Sequence, residues 1–338
     1  MKIIVPMAGR GSRLRPHSLT TPKPLISVAG FPIVHQLVME IAKVVNAPIT
    51  DIGFILGDLA FFGPEVEESL CTLAKSLGAQ PHLFRQDEPL GTGHAIMCAA
   101  KILKGPTVVA YADTLIRANL TLDPEADAVI WVKQVEAPEA FGVVELNEEN
   151  IIVNLIEKPQ KFVSDLAVIG IYYFKEIERL KSALEKVVSQ KLQAGKEYQI
   201  NEGILAMMQE GAVFKPGAVS AWMDCGNPEV TIQTNSQMLS IKAAEGETLI
   251  HPSATIENST VIPPCFLGKN TLIKNSTIGP GVTVGAGTTI ENCELKNSLI
   301  QNNSKIQHLN STNAMIGNHV HYHGNPTFVS IGDYSVLK

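Results

Sequence analysis

Two glycines and two basic residues near the amino terminus are the first place where residue type and spacing could do chemistry. Pro6-Met7-Ala8-Gly9-Arg10-Gly11-Ser12-Arg13-Leu14 follows the apolar run Ile3-Ile4-Val5, and Lys23-Pro24-Leu25 comes shortly after. Glycines here let backbone N–H groups approach phosphate oxygens closely and point inward as an anion-binding nest. Arg13 and Lys23 can then neutralise charge on the phosphates. The stretch lacks the Gly-Lys-Ser/Thr of a P-loop and the Gly-x-Gly-x-x-Gly of a dinucleotide fingerprint, and by itself it also reads as a plain strand-to-helix turn. Asp113, in Ala110-Tyr111-Ala112-Asp113-Thr114, stands just past an apolar run. A carboxylate at a strand's carboxyl end can hold a hard cation such as Mg2+, with water and phosphate oxygens completing the shell, or it can cap a helix.

More segments of this kind follow in order. They are Gln86-Asp87-Glu88-Pro89-Leu90-Gly91-Thr92-Gly93-His94, Phe141-Gly142-Val143-Val144-Glu145, Ile156-Glu157-Lys158-Pro159, Gly170-Ile171-Tyr172-Tyr173 and Ala221-Trp222-Met223-Asp224-Cys225-Gly226. Read locally, the first is a Pro-Gly turn before a helix with His94 as a helix-start residue. Glu-Lys-Pro is a solvated turn, and a Trp is most often a core residue. Taken with Gly-x-Gly-[Ser/Thr]-Arg-Leu and Lys-Pro, however, the series resembles the sugar-nucleotide pyrophosphorylases. That family includes glucose-1-phosphate thymidylyltransferase and UTP-glucose-1-phosphate uridylyltransferase. The resemblance spans residues 1 to about 235 and departs from the family at Pro6-Met7, where Leu-Ala is usual.

The resemblance implies a reaction and a set of roles. A nucleoside triphosphate is joined to a sugar 1-phosphate, and pyrophosphate leaves. Ala8, Gly9, Gly11 and Ser12 would cradle the triphosphate, with Arg13, Lys23 and Lys158 as the catalytic cations. Gln86 and Gly91, with Thr92 beside them, would read the base. An amide and a backbone group together match the donor and acceptor pattern of uracil or thymine, which favours UTP or dTTP. Gly142, Glu157, Lys158, Gly170 and Trp222 would hold a glucose-like sugar phosphate, and Asp113 with Asp224 would clamp Mg2+. The attacking phosphate oxygen is already ionised, so no general base is needed; alignment and charge neutralisation carry the chemistry.

The elements that must position these residues are legible as two kinds of repetition. Apolar runs at 3–5, 52–56, 107–111 and 128–132 alternate with segments of helical spacing at 33–45, 64–78 and 92–103. Such alternation predicts an α/β domain over 1–240 with a Rossmann-like, mostly parallel sheet, ligands binding at its carboxyl edge. Residues 251–338 hold 11 of the 19 Asn, and an aliphatic residue recurs every five or six positions: Ile256, Ile262, Leu267, Ile273, Ile278, Val284, Ile290, Leu295, Ile300, Ile306. That spacing fits neither a helix nor an alternating strand. It predicts a left-handed parallel β-helix of hexapeptide repeats, with Gly and Asn at corners of positive φ.

Composition narrows the partners. A net charge of −6 over 338 residues argues against nucleic acid, and no apolar stretch reaches membrane-helix length. Five scattered cysteines, none spaced as Cys-x-x-Cys, fit reduced thiols in a cytoplasmic protein. A homo-oligomer is expected from the solenoid. Two rival readings stand beside the main one. His308, His319, His321 and His323 could give the solenoid a second, acyl-transferring activity, and the alternating His319, His321 and His323 could bind a metal. Alternatively, the chain could bind nucleotide-sugars as a regulator without turnover, although Arg13, Lys23, Asp113, Lys158 and Asp224 are all present.

Overall fold

A computed structural model describes residues 1–324 apart from 10, 46, 119–121, 123, 124 and 193–195. Arg10 of the glycine motif thus lies outside the described residues. The chain divides into two compact units, residues 1–9 with 34–222 and residues 10–33 with 223–338.

The first unit is built on a nine-stranded sheet. Its strands are β1 (Lys2–Pro6), β2 (Asp51–Leu56), β3 (Gln80–Arg85), β4 (Thr107–Ala110), β5 (Ala128–Gln134), β6 (Gly142–Leu146), β7 (Ile152–Glu157), β8 (Leu166–Phe174) and β9 (Phe214–Ala218). They run in the order β7-β6-β8-β4-β1-β2-β3, with β5 pairing β8 and β9. The half made by β4, β1, β2 and β3 is parallel throughout, as is β5 with β9. The long strand β8 runs antiparallel to β4, β5 and β6. The Rossmann-like, mostly parallel sheet is as expected.

Ile3, Ile4 and Val5 are fully buried, as a strand covered on both faces requires. Helices α1 (Ile33–Val44), α2 (Pro64–Ser76), α3 (Thr92–Cys98), α4 (Ile177–Val188) and α5 (Ile200–Gln209) accompany it. On α4, Ile177, Leu180 and Leu184 form one buried stripe, packing with Ile96, Ile204, Phe174 and Phe214 in a common core. Each such side chain contributes about 1.5–3 kcal/mol by leaving water. α3 stops at Cys98, short of the expected 103. From there, three-residue hydrogen bonds (Ala99 N–H to Ile96 O, Ala100 N–H to Met97 O) tighten the chain ahead of Gly105-Pro106.

In the second unit, α6 (Pro228–Ala244) precedes the left-handed β-helix. Three parallel sheets of five, four and four strands form its faces. The register stacks Ile256, Ile273, Ile290 and Ile306 on one face, and Leu267, Val284, Ile300 and Ile316 on another. On the third face the row is Val261, Ile278, Leu295. Ile262 does not join it, as the spacing had suggested. The strand ends at Val261 and Ile262 opens the corner that runs through Pro263-Pro264, largely exposed. Corners carry residues of positive φ: Asn258, Asn275 and Asn292 at one, Asn270 and Asn303 at another. His308 and His319 occupy the same corners one coil on, with φ of 56° and 57°. That gives them a conformational role, because His tolerates the left-handed region better than most residues. No helix among the described residues is long and apolar enough to cross a membrane.

Candidate functional site

In the first unit, Ala8, Gln86, Asp113 and Lys158 follow the carboxyl ends of strands, while Gly142 opens β6 and Gly170 lies within β8. Beyond β1, Met7 N–H donates to Ile55 O (2.9 Å), which carries the chain past Ala8 to Gly9. Gly57 lies so close that a Cβ there would stand 2.5 Å from Ala8 O, whereas the space around Gly9 is open. Beyond β3, Arg85 donates to Gly57 O (2.6 Å) and Phe62 O (2.8 Å) and pairs with Glu67, which ties down the loop beside Ala8. Gln86 N–H donates to Leu56 O (2.9 Å), and the Gln86 side chain turns back so that Nε2 donates to Gly91 O (3.0 Å). Gly91 has φ of 106°, and a Cβ on it would stand 2.5 Å from Tyr198 O, so only glycine fits. The Thr92 hydroxyl donates to Gln199 Oε1 (2.9 Å) and accepts from Ile200 N–H (3.0 Å), joining α3 to the start of α5.

Asp113 follows β4 and is succeeded by a short strand, Thr114–Arg117, so it caps no helix. Tyr111 N–H donates to Gly170 O (3.0 Å). Gly170, with φ of 78°, lets the Tyr111 ring close over it, and that ring meets Tyr172 edge to face. Burial pushes both phenols well above their ordinary range, so they stay protonated hydrogen-bonding groups.

Glu157 ends β7 directly opposite Gly142 at the start of β6. Its Oε2 comes within 2.9 Å of where a Cβ on Gly142 would sit, so the glycine makes room for the carboxylate. Lys158 has φ of 45°, a left-handed conformation unusual for lysine, held by its N–H donating to Phe141 O (3.0 Å). Phe141 and Trp222 pack edge to face with centroids 5.2 Å apart, and the buried Trp222 Nε1 has no acceptor among the described residues.

The second unit holds the rest. Gly11 has φ of 77°, and a Cβ on it would lie 2.6 Å from Lys23 Cβ, so the glycine seats the stem of Lys23, which is only 5% exposed. Ser18 Oγ donates to Gly11 O (2.6 Å) and Leu14 N–H to the same oxygen (3.0 Å), fixing the turn that displays Ser12 and Arg13 to solvent. Asp224 ends a strand before α6. A Cβ on Gly226 would stand 2.7 Å from Asp224 Oδ2, and Thr234 Oγ1 donates to Asp224 O (2.6 Å).

The structure thus joins Gln86 to Gly91, Glu157 to Gly142 and Gly11 to Lys23. Sequence reasoning missed Arg85, the turn conformation of Lys158, and His94, whose Nδ1 lies 3.1 Å from Gln86 Nε2. Among the described residues no three His, Cys, Asp or Glu side chains gather as a metal cluster.

A model of the nucleotidyl transferase family matches residues 2–241. A glucose-1-phosphate thymidylyltransferase of Streptomyces antibioticus is 30% identical over 291 residues, 79% of this chain and 78% of its own. A mannose-1-phosphate guanylyltransferase of Mycobacterium tuberculosis is also 30% identical, over 276 residues, 77% of this chain and 72% of its own. Among solved structures, a Bacillus anthracis protein described as a glucose-1-phosphate thymidylyltransferase, in complex with sucrose, superposes with a TM-score of 0.58. It is 25% identical, and the match covers 70% of this chain and 94% of that one.

Proposed function

We infer, for a chain that belongs to the nucleotidyl transferase family and is a sugar-1-phosphate nucleotidyltransferase, that its substrates are dTTP or UTP and a glucose-like hexose 1-phosphate. The two relatives at 30% identity carry different bases in their names, so overall likeness does not choose the base. The observation that carries the choice is the Gln86 side chain held 3.0 Å from Gly91 O at the carboxyl edge of β3. An amide and a backbone group fixed together suit the edge of uracil or thymine.

The remaining roles belong to the same proposal. Residues 1–240 act as the catalytic domain and 251–338 as its supporting solenoid. Ala8, Gly9, Gly11 and Ser12 offer backbone N–H groups to the triphosphate, while Arg13 and Lys23 oppose its charge. Lys158, turned by its left-handed backbone, binds the sugar phosphate. Glu157 accepts from sugar hydroxyls, with Gly142, Gly170 and Trp222 lining the pocket; the unpaired Trp222 N–H supports that reading. Thr92 contributes by fixing α3 rather than through its occupied hydroxyl.

A divalent metal is general to the family. By the chemistry of their hard carboxylate oxygens, Asp113 and Asp224 are the residues that would hold it as Mg2+. When bound, the ion neutralises phosphate charge. The protein's own part is to bring an already ionised phosphate oxygen in line with the α-phosphorus, so that the new P–O bond forms as pyrophosphate departs.

A pyrophosphate-release assay crossing ATP, GTP, CTP, UTP and dTTP against a panel of sugar 1-phosphates tests this. Turnover with UTP or dTTP and glucose 1-phosphate is expected, and it should fall by about 10²-fold or more in Asp113→Ala and Arg13→Ala. Preference for a purine triphosphate, or unaltered rates in both variants, would overturn the reading.

A further inference from the structure

We propose that His94 is a positioning residue for base selection: its imidazole locks the Gln86 amide so that only the carbonyl oxygen can face the base. This rests on the assignment of Gln86 and Gly91 to base reading. Gly91 O is a carbonyl and can only accept, so the Gln86 atom 3.0 Å from it is the amide nitrogen. That nitrogen's second proton points at His94 Nδ1, 3.1 Å away. For the contact to be a hydrogen bond, Nδ1 must present its lone pair, which makes His94 neutral with its proton on Nε2. Both amide protons are then engaged, and Gln86 Oε1 takes no hydrogen bond among the described residues.

Neither acceptor would suffice alone. The last torsion of a Gln side chain is broad and nearly two-fold, so one hydrogen bond leaves the amide plane free to swing. Gly91 O decides which end faces inward, and His94, on the first turn of α3 eight residues from Gln86, fixes the plane. α3 itself is anchored by Thr92 and by Gly93 N–H donating to Tyr198 O (2.8 Å), so the lock sits on a rigid element.

An outward acceptor has a chemical consequence. Uracil and thymine carry an N3–H that donates to it. Cytosine has a bare lone pair at N3, which such an oxygen repels. A Gln86 free to swing could offer its NH2 instead and tolerate cytosine. His94 therefore contributes to excluding CTP.

The test compares wild type, His94→Phe, His94→Asn and Gln86→Ala, each first checked for an intact thermal transition. His94→Asn puts an amide oxygen close to where Nδ1 stood. In His94→Phe the KM for UTP or dTTP should rise about five- to tenfold with kcat little changed. The ratio of kcat/KM for UTP over CTP should fall, and His94→Asn should restore both. An unchanged KM and ratio in a folded His94→Phe, or failure of His94→Asn to restore them, would overturn the proposal. If Gln86→Ala itself left the ratio unmoved, the base-reading assignment would be the part that fails.

Discussion

Gly91 shows how narrowly a single residue is fixed at the turn between β3 and α3. With φ of 106° and Tyr198 O 2.5 Å from any Cβ, Gly91→Ala is strained both by its own backbone and by a carbonyl that cannot swing away. We expect it to cost about 1–3 kcal/mol, and to raise KM for the preferred triphosphate through the lost Gln86 contact. Calorimetry and initial rates read the two effects separately; unchanged values for both would contradict the geometry. At this scale the candidate residues were picked out by the resemblance their ordered motifs carry, since each motif taken alone also reads as a turn or a cap. What stayed hidden were conformations and meetings. Nothing in Glu-Lys-Pro says that Lys158 turns left-handed, and nothing in the turn from Gln86 to His94 says that the two side chains meet. His94 does start a helix, as its position suggested, and the turn before that helix brings it back to Gln86.

Among the elements, the segment 10–33 has a titration of its own. Burial holds the His17 imidazole below its ordinary range, because desolvation penalises the charged ring. The unfolded chain takes up this proton near pH 6.5, whereas the folded chain does so only at lower pH. Between those values the unfolded state binds more protons, so the contribution is intact above about pH 6.5 and is lost as pH falls through the folded value. Urea titrations at pH 7.5 and 5.5 should show a smaller acid loss in His17→Asn than in wild type; an equal loss would mean that His17 does not titrate in this way. His35, likewise lowered by burial, adds a second such slope from α1. Element positions were readable wherever burial imposes a period, as in β1 and the Ile256 row of the solenoid. They were not readable where a corner decides, as at Ile262, or where a helix unwinds by three-residue bonds after Cys98. Those features depend on local turn geometry rather than on which residues are apolar.

For the whole molecule, chain order and compact units disagree in an instructive way. The segment carrying Gly11, Arg13 and Lys23 belongs with α6 and the solenoid, not with β1 that leads into it. Its fastening is a buried hub. Asn235 Oδ1 accepts from Ala29 N–H (2.9 Å) and Thr283 Oγ1 (2.7 Å), while Asn235 Nδ2 donates to Gly281 O (3.3 Å). Gln301 Nε2 donates to Ser27 O (2.9 Å), and Phe266 packs over Gly30 and edge-on to Phe31. A solenoid joined this way holds the segment proposed to meet the triphosphate, and these contacts involve none of its histidines. Asn235→Leu leaves two buried donors unpaired, at about 1–3 kcal/mol each. Ile290→Ala, in the middle of a solenoid row, should cost a comparable 2–5 kcal/mol, roughly, through the cavity it opens. The two differ in what they touch. Asn235→Leu should therefore raise KM for the triphosphate several-fold, whereas Ile290→Ala should lower stability alone. Equal KM values in two variants of matched stability would mean that the segment holds its shape without the Asn235 hub. A split would locate the support of Arg13 and Lys23 in the Asn235 hub on α6, more than two hundred residues further along the chain.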